Sequence, residues 1–98
     1  MSRRLVLLAE AHEDLREAAA WYKTQREPLA KQFRFAVTAA LTLVRRHPLR
    51  FQAYWGNVHH FVMKAFPYSI FYRFDDEEVE VLAVFHERRD PSEWQRRL

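Results

Sequence analysis

Apolar and polar positions change their period twice along this chain. Leu5 to Ala9 is a short continuous apolar run, the pattern of a strand buried on both faces. From Glu10 to Tyr22, Leu15, Ala18, Ala19 and Tyr22 recur at the spacing of an amphipathic helix. Glu10, Glu13 and Asp14 fall at its start, where carboxylates suit the positive end of the helix dipole. Pro28 disfavours the α conformation at Glu27 and can itself open a new helix. A second helix is predicted from about Pro28 to His47, with an apolar stripe of Leu29, Phe33, Ala36, Val37, Ala40, Leu41 and Val44. Arg45, Arg46 and His47 suit its C-terminal end, and Pro48 stops it. So short a connection predicts an antiparallel helical hairpin.

The second half reads with the period of strands. Val58–Lys64, the aromatic-rich Tyr68–Phe74 and the apolar Val79–Phe85 are predicted strands. The turn candidate Phe66-Pro67 and the charged Asp75–Glu78 separate them, so an antiparallel meander is expected. Asp90–Trp94 looks like the start of a short C-terminal helix. The helices must bury their stripe on one sheet face. The expected fold is a single two-layer α+β domain over residues 1–98: an N-terminal strand, then a helical hairpin packed on an antiparallel sheet of about four strands. Leu15, Tyr22, Phe33, Val37, Leu41 and Val44 should be buried, and Leu5–Leu8 should join the same sheet.

Charge adds a direction to this picture. The 98 residues carry a net charge of +3. The segment from Pro28 to Phe74 holds seven basic residues (Lys31, Arg34, Arg45, Arg46, Arg50, Lys64 and Arg73) and no carboxylate. Such a stretch either attracts an anionic partner or is a solvated basic face. With no cysteine, disulfides and thiolate metal sites are excluded. The apolar run in Met1–Ala9 is too short for a secretory leader, and no stretch reaches the ~18 apolar residues of a membrane span. The expected location is the cytoplasm, without membrane partners.

Several side chains are candidates for chemistry or binding. His86, at the end of the last strand, suits general acid–base work; the alternative is a structural imidazole in the His86–Pro91 turn. His59 and His60 are adjacent on a strand and point to opposite faces, so they do not share a metal, and no ligand set is expected. Lys64 and Arg73 could meet across the Phe66-Pro67 hairpin and form an anion site with Arg50, or remain solvated edge charges. Arg88 and Arg89, with Asp90 and Glu93 nearby, could be surface ion pairs of little energetic worth. The 15% aromatic content exceeds what so small a core readily absorbs. Tyr54, Trp55, Phe66 and Trp94 lie beside turns or ends, and their expected exposure would mark a partner site.

Leu15–Tyr22, Phe66-Pro67-Tyr68-Ser69-Ile70-Phe71-Tyr72-Arg73 and Val81–Pro91 together resemble the ParE branch of the ParE/RelE toxin superfamily. The resemblance runs in order over nearly the whole chain. It implies a growth-inhibiting toxin encoded beside an antitoxin that neutralises it, with no cofactor and with oligomers formed mainly through the antitoxin. ParE proteins act on DNA gyrase, whereas RelE proteins cut messenger RNA on the ribosome, and the shared fold does not choose between them. The RelE-type nucleases place a phosphate-binding Arg where this chain has Ser69, which cannot make arginine's bidentate charged contact. A second family Arg matches Arg88, and the family's C-terminal Tyr corresponds roughly to Trp94. The resemblance therefore implies action by binding; Arg88, Arg89 and Trp94 are expected toward the target, because a C-terminal segment outside the sheet can dock without disturbing the core. The antitoxin would lie over Arg45, Arg46, Arg50, Tyr54, Trp55 and Phe66. The alternative is a metal-independent messenger-RNA endoribonuclease using Arg88, His86 and Lys64.

Overall fold

A computed structural model describes residues 3–98. Met1 and Ser2, the lead of the stretch weighed above as a leader, lie outside the described residues. In chain order the elements are β1 (Arg4–Leu7), α1 (Ala9–Gln25), α2 (Glu27–Arg46), a 3-10 turn (Pro48–Arg50), β2 (Ala53–Trp55), β3 (Val58–Val62), β4 (Tyr68–Phe74), β5 (Glu78–His86) and α3 (Ser92–Gln95). The fold is α+β, with the helical hairpin on one face of a five-stranded sheet ordered β1-β5-β4-β3-β2.

The hairpin forms as its stripes predict. Arg26 adopts an extended conformation between the helices, and Pro28 sits in the first turn of α2, where a missing N–H costs nothing. Ala18, Ala19 and Tyr22 of α1 and Phe33, Val37, Ala40 and Val44 of α2 are buried, with Leu15, Leu29 and Leu41 partly buried against them. The Phe33 ring is the hub of this layer. Its centroid lies 5.2 Å from Tyr22, 5.2 Å from Phe66 and 5.1 Å from Tyr68, within the range of favourable aromatic pairs.

The sheet departs from expectation in three places. First, β1 is an edge strand, with Arg4 exposed and Leu5, Val6 and Leu7 only half-buried. It joins the sheet as expected but runs parallel to β5, Leu5 opposite Val79 and Leu7 opposite Val81, so the sheet is mixed. The extra strand β2 accounts for this: after two antiparallel helices, the four antiparallel strands β2–β5 alternate so that β5 runs in the direction of β1. Second, β2 is a fifth strand too short to register as alternation. It turns into β3 through Gly56, whose φ of +56° is the left-handed conformation glycine adopts freely. Third, Phe71 pairs with Ala83 but Tyr72 pairs with Val81, so Leu82 is an extra residue on β5. This bulge lets Val81 and Val84 both face the helices, while Leu82, Ala83 and Phe85 line the far face.

That far face is not left to solvent. Residues 87–98 fold back across it and insert Trp94 among Val58, Phe71, Leu82, Ala83 and Phe85.

Candidate functional site

One face of the α1–α2 hairpin packs on the sheet, and the other is open. On its outer face the helices leave a groove of about 580 Å³ floored by Leu15, Val37 and Leu41 and rimmed by His12, Arg16 and Arg34. A shallower stretch of about 300 Å³ continues it, floored by Ala19, Ala20 and Ala30 and rimmed by Lys23 and Lys31. Arg16 and Arg34 border both stretches. Small and aliphatic residues at the floor allow another backbone to approach, and the rim carries four cations against Glu13, which pairs with Arg16, and Glu27. Lys31 and Arg34 belong to the acid-free segment of the sequence; Arg16 and Lys23 come from the other helix, so no local charge count could assemble the rim.

The other arginines of that segment are dispersed. Arg46 and Arg50 are exposed beyond the C-terminal end of the groove, and Arg45 donates to the Arg3 carbonyl at 3.4 Å. Arg73 binds Glu80 through Nε at 2.7 Å. The proposed gathering of Lys64, Arg73 and Arg50 does not occur. Val62 pairs with Ser69, so Lys64 stands at the turn end of the hairpin, while Arg73 lies four residues further along β4. Lys64 lies two residues beyond Val62, level with Pro67 and six residues from Arg73, so at roughly 3.3 Å per strand residue the two are on the order of 20 Å apart along the sheet.

The four aromatics expected at the surface divide. Tyr54 and Trp55 are exposed on β2, but Phe66 is half-buried against Tyr22 and Phe33, and Trp94 is fully buried. Trp94 stacks on Phe71 at 4.6 Å, with Trp55 edge-on at 5.9 Å. Its position near the chain end hid the fact that the far sheet face is apolar and needs a cover. Its indole Nε1–H has no hydrogen-bond partner among the described residues, and the ring lines a cleft of about 260 Å³ shared with Tyr54, His60, Ser69, Phe85 and Arg89.

The two adjacent histidines do point apart. His59 bonds the Phe51 carbonyl through Nδ1 at 2.8 Å and stacks on Tyr72 on the helix side. His60 packs between Tyr54 and Phe71 on the far side. Among the described residues no three His, Cys, Asp or Glu side chains gather to hold a metal. Burial, then the nearby His59, pushes the His60 pKa below its ordinary 6.5. The fold therefore favours neutral His60: its contribution is complete above pH 6.5 and is lost as pH falls through the lowered value. The urea midpoint should drop between about pH 7 and about pH 5, and His60→Gln should flatten that slope. An unchanged slope in the variant would assign the effect to other groups. Tyr72, buried and donating to the Pro48 carbonyl at 2.6 Å, is pushed up to about 12 and stays protonated throughout.

The end of β5 collects the remaining candidates. His86 accepts the Arg88 backbone N–H on Nδ1 at 3.1 Å and meets the Tyr68 ring edge-on, as the structural reading of the turn requires. Arg88 is exposed and has no side-chain partner among the described residues. Arg89 is held at 2.9 Å by Glu93 and lies 3.7 Å over the Phe85 ring, more than a surface ion pair. A shallow cleft of about 160 Å³ adds Trp21, 55% exposed, to Tyr68, His86 and Arg89. Trp21 was legible as a tryptophan lying off the α1 stripe, on its solvent side.

The chain belongs to the ParE family of toxins from type II toxin–antitoxin systems, whose sequence profile matches residues 5–91. It is 27% identical over 93 residues to Toxin ParE2 of Mycobacterium tuberculosis, in two strains, covering 94% of this chain and 89% of that protein. Its fold matches a chain of the chromosomal ParDE system from P. aeruginosa with a TM-score of 0.77 at 15% identity, over 87% of this chain and 96% of the other. It is a ParE-family toxin of a toxin–antitoxin module, and no helix among the described residues is long and apolar enough to cross a membrane.

Proposed function

We propose that this toxin acts by binding DNA gyrase through the surface at the end of β5, and that its antitoxin neutralises it from the α1–α2 groove. The observation that carries the target surface is the grouping of exposed Trp21 and Arg89 around one cleft, with exposed Arg88, which has no side-chain partner among the described residues, next to Arg89 in the chain. Tryptophan and arginine dominate the binding energy of protein interfaces, because they combine large contact area with directional hydrogen bonds. Buried Trp94 supports this surface from beneath. The antitoxin segment is an acidic amphipathic helix: its apolar stripe meets Leu15, Val37 and Leu41, and its carboxylates meet Arg16, Lys31 and Arg34. Beyond the groove it continues past Arg45, Arg46 and Arg50 toward Tyr54 and Trp55.

Cutting RNA without a metal needs a base, an acid and fixed positive charge at the phosphate. Half-buried Ser69 lines the far-face cleft where a nuclease of this fold would carry an arginine, and losing one such donor typically costs ~10²–10³ in rate. The test is a plasmid supercoiling assay beside sequencing of transcripts from cells expressing the toxin. Arg88→Ala and Trp21→Ala should each weaken gyrase inhibition by roughly tenfold or more, with transcripts intact. Cleavage of transcripts at defined positions, lost in His86→Ala, would establish the nuclease instead.

A further inference from the structure

One buried carboxylate holds both ends of the C-terminal cover. β1 pairs with β5 only as far as Leu7 opposite Val81, and the Leu8 N–H to Val81 carbonyl bond at 3.0 Å is the last rung. The chain then turns into α1, so from Leu82 onward that side of β5 has no neighbouring strand. Side chains take its place. The Val84 N–H donates to Asp14 Oδ2 at 3.0 Å, and the Leu82 carbonyl accepts from Arg97 Nη1 at 3.0 Å. The two side chains close on each other through a bidentate pair, Nη1 to Oδ2 at 2.8 Å and Nη2 to Oδ1 at 2.9 Å. Asp14 retains 5% of its side-chain exposure and Arg97 14%. The bond to Asp14 raises the Arg97 pKa further above its usual range.

Arg89 reaches the same carboxylate at 3.9 Å. The Arg89 and Arg97 guanidinium groups lie 3.7 Å and 4.9 Å from the centroid of one ring, Phe85. Trp94 lies between these two arginines in sequence and is buried beneath the segment. α3 has only four residues, too few to hold a helical conformation unaided. Its place over the sheet therefore depends on anchors, and the charged anchors converge on Asp14.

We propose that Asp14 and Arg97 are positioning residues: their ion pair substitutes for the missing strand beside β5 and clamps residues 87–97 so that Arg89, with Arg88 next to it in the chain, stands beside Trp21 as one target-binding surface. This rests on the gyrase-binding reading above for its consequence, but the clamp itself can be read separately. A chain with Trp21→Phe and Trp55→Phe leaves Trp94 as the only tryptophan and makes its fluorescence report on the cover alone. In that chain Trp94 should emit in the blue and resist acrylamide. Arg97→Gln should shift the emission to the red and raise quenching several-fold, while the far-ultraviolet circular dichroism of α1 and α2 is kept. Arg97→Lys, which keeps the charge but not the fork, should fall between. Asp14→Asn keeps an oxygen for the Val84 N–H and provides the same readout if Arg97→Gln does not fold. In the chain with all tryptophans, Arg97→Gln should weaken gyrase inhibition by roughly tenfold. A Trp94 that stays shielded in both Arg97→Gln and Asp14→Asn overturns the clamp. A released Trp94 with inhibition unchanged, where Arg88→Ala still abolishes it, overturns the positioning role. If Arg88→Ala leaves inhibition intact, the target surface is misassigned, and the Trp94 signal alone still decides whether the clamp exists.

Discussion

Phe33→Ala is expected to leave this protein largely unfolded at 37 °C, whereas Phe35→Ala, two residues further along the same helix, should leave it nearly unchanged. Phe33 is fully buried and touches Tyr22, Phe66 and Tyr68, so its ring joins α1, α2 and the β3–β4 turn. Truncating a buried phenylalanine costs about 3–5 kcal/mol, from lost transfer energy plus the cavity that remains. A domain of this size has about 5–15 kcal/mol in total, and each kcal/mol moves the midpoint by roughly 4–8 °C. The melting temperature should therefore fall by roughly 15–30 °C. Phe35 is 78% exposed, and its loss should stay within about 0.5 kcal/mol. Melting curves followed by circular dichroism decide the matter: a drop under about 5 °C for Phe33→Ala would mean that the hub does not hold the layers together.

The same pair of residues shows why the helices were legible. Phe33 lies on the stripe with Val37, Ala40 and Val44, and Phe35 lies off it; helical periodicity alone separates a core residue from a surface one of the same type. The predicted strands β3, β4 and β5 were found to within about two residues for the equivalent reason. What periodicity cannot carry is a contact made at long range. Asp14 looked like one of three carboxylates at a helix start, yet it is buried because Arg97, 83 residues away, is folded onto it. The Leu82 bulge leaves no mark because it falls within Val81–Phe85, a run that is apolar throughout. Trp94 looked free because it stands near the end of the chain. The far face it covers could be recognised only after the bulge had set which β5 side chains point there.

This burial changes how the target surface should be tested. Trp94→Ala removes a ring stacked on Phe71 and exposes Leu82 and Phe85, so a loss of toxicity in that variant would report on folding as much as on contact. Arg88 and Trp21 are the informative positions, since neither supports the core. The candidate catalytic trio is weakened in a similar way. The His86 Nδ1 is already taken by the Arg88 N–H, which leaves only Nε2 to exchange a proton.

Reversing the groove rim should uncouple toxin from antitoxin more strongly than reversing the basic end of α2. Arg16→Glu, Lys31→Glu and Arg34→Glu together change the rim by six charge units where an apolar floor lets a helix bury its stripe beside them. Arg46 and Arg50, though exposed, flank no such floor, and Arg45 is partly engaged with Arg3. Opposed charges at a rim act chiefly on the rate of encounter. Association should slow by about 10–100-fold at low salt, and its dependence on ionic strength should flatten or change sign. The Arg45→Glu, Arg46→Glu, Arg50→Glu triple variant should slow association less, by no more than about tenfold. All six side chains lie toward solvent or on its margin, so both variants should fold; the Arg16–Glu13 pair lost in the first is exposed and worth little. In cells, co-expressed antitoxin should fail to rescue growth from the groove variant while still rescuing the parent. Rescue of the groove variant as complete as that of the parent, with rescue lost in the Arg45, Arg46 and Arg50 variant, would move the antitoxin site to the end of α2 and leave the groove without that role.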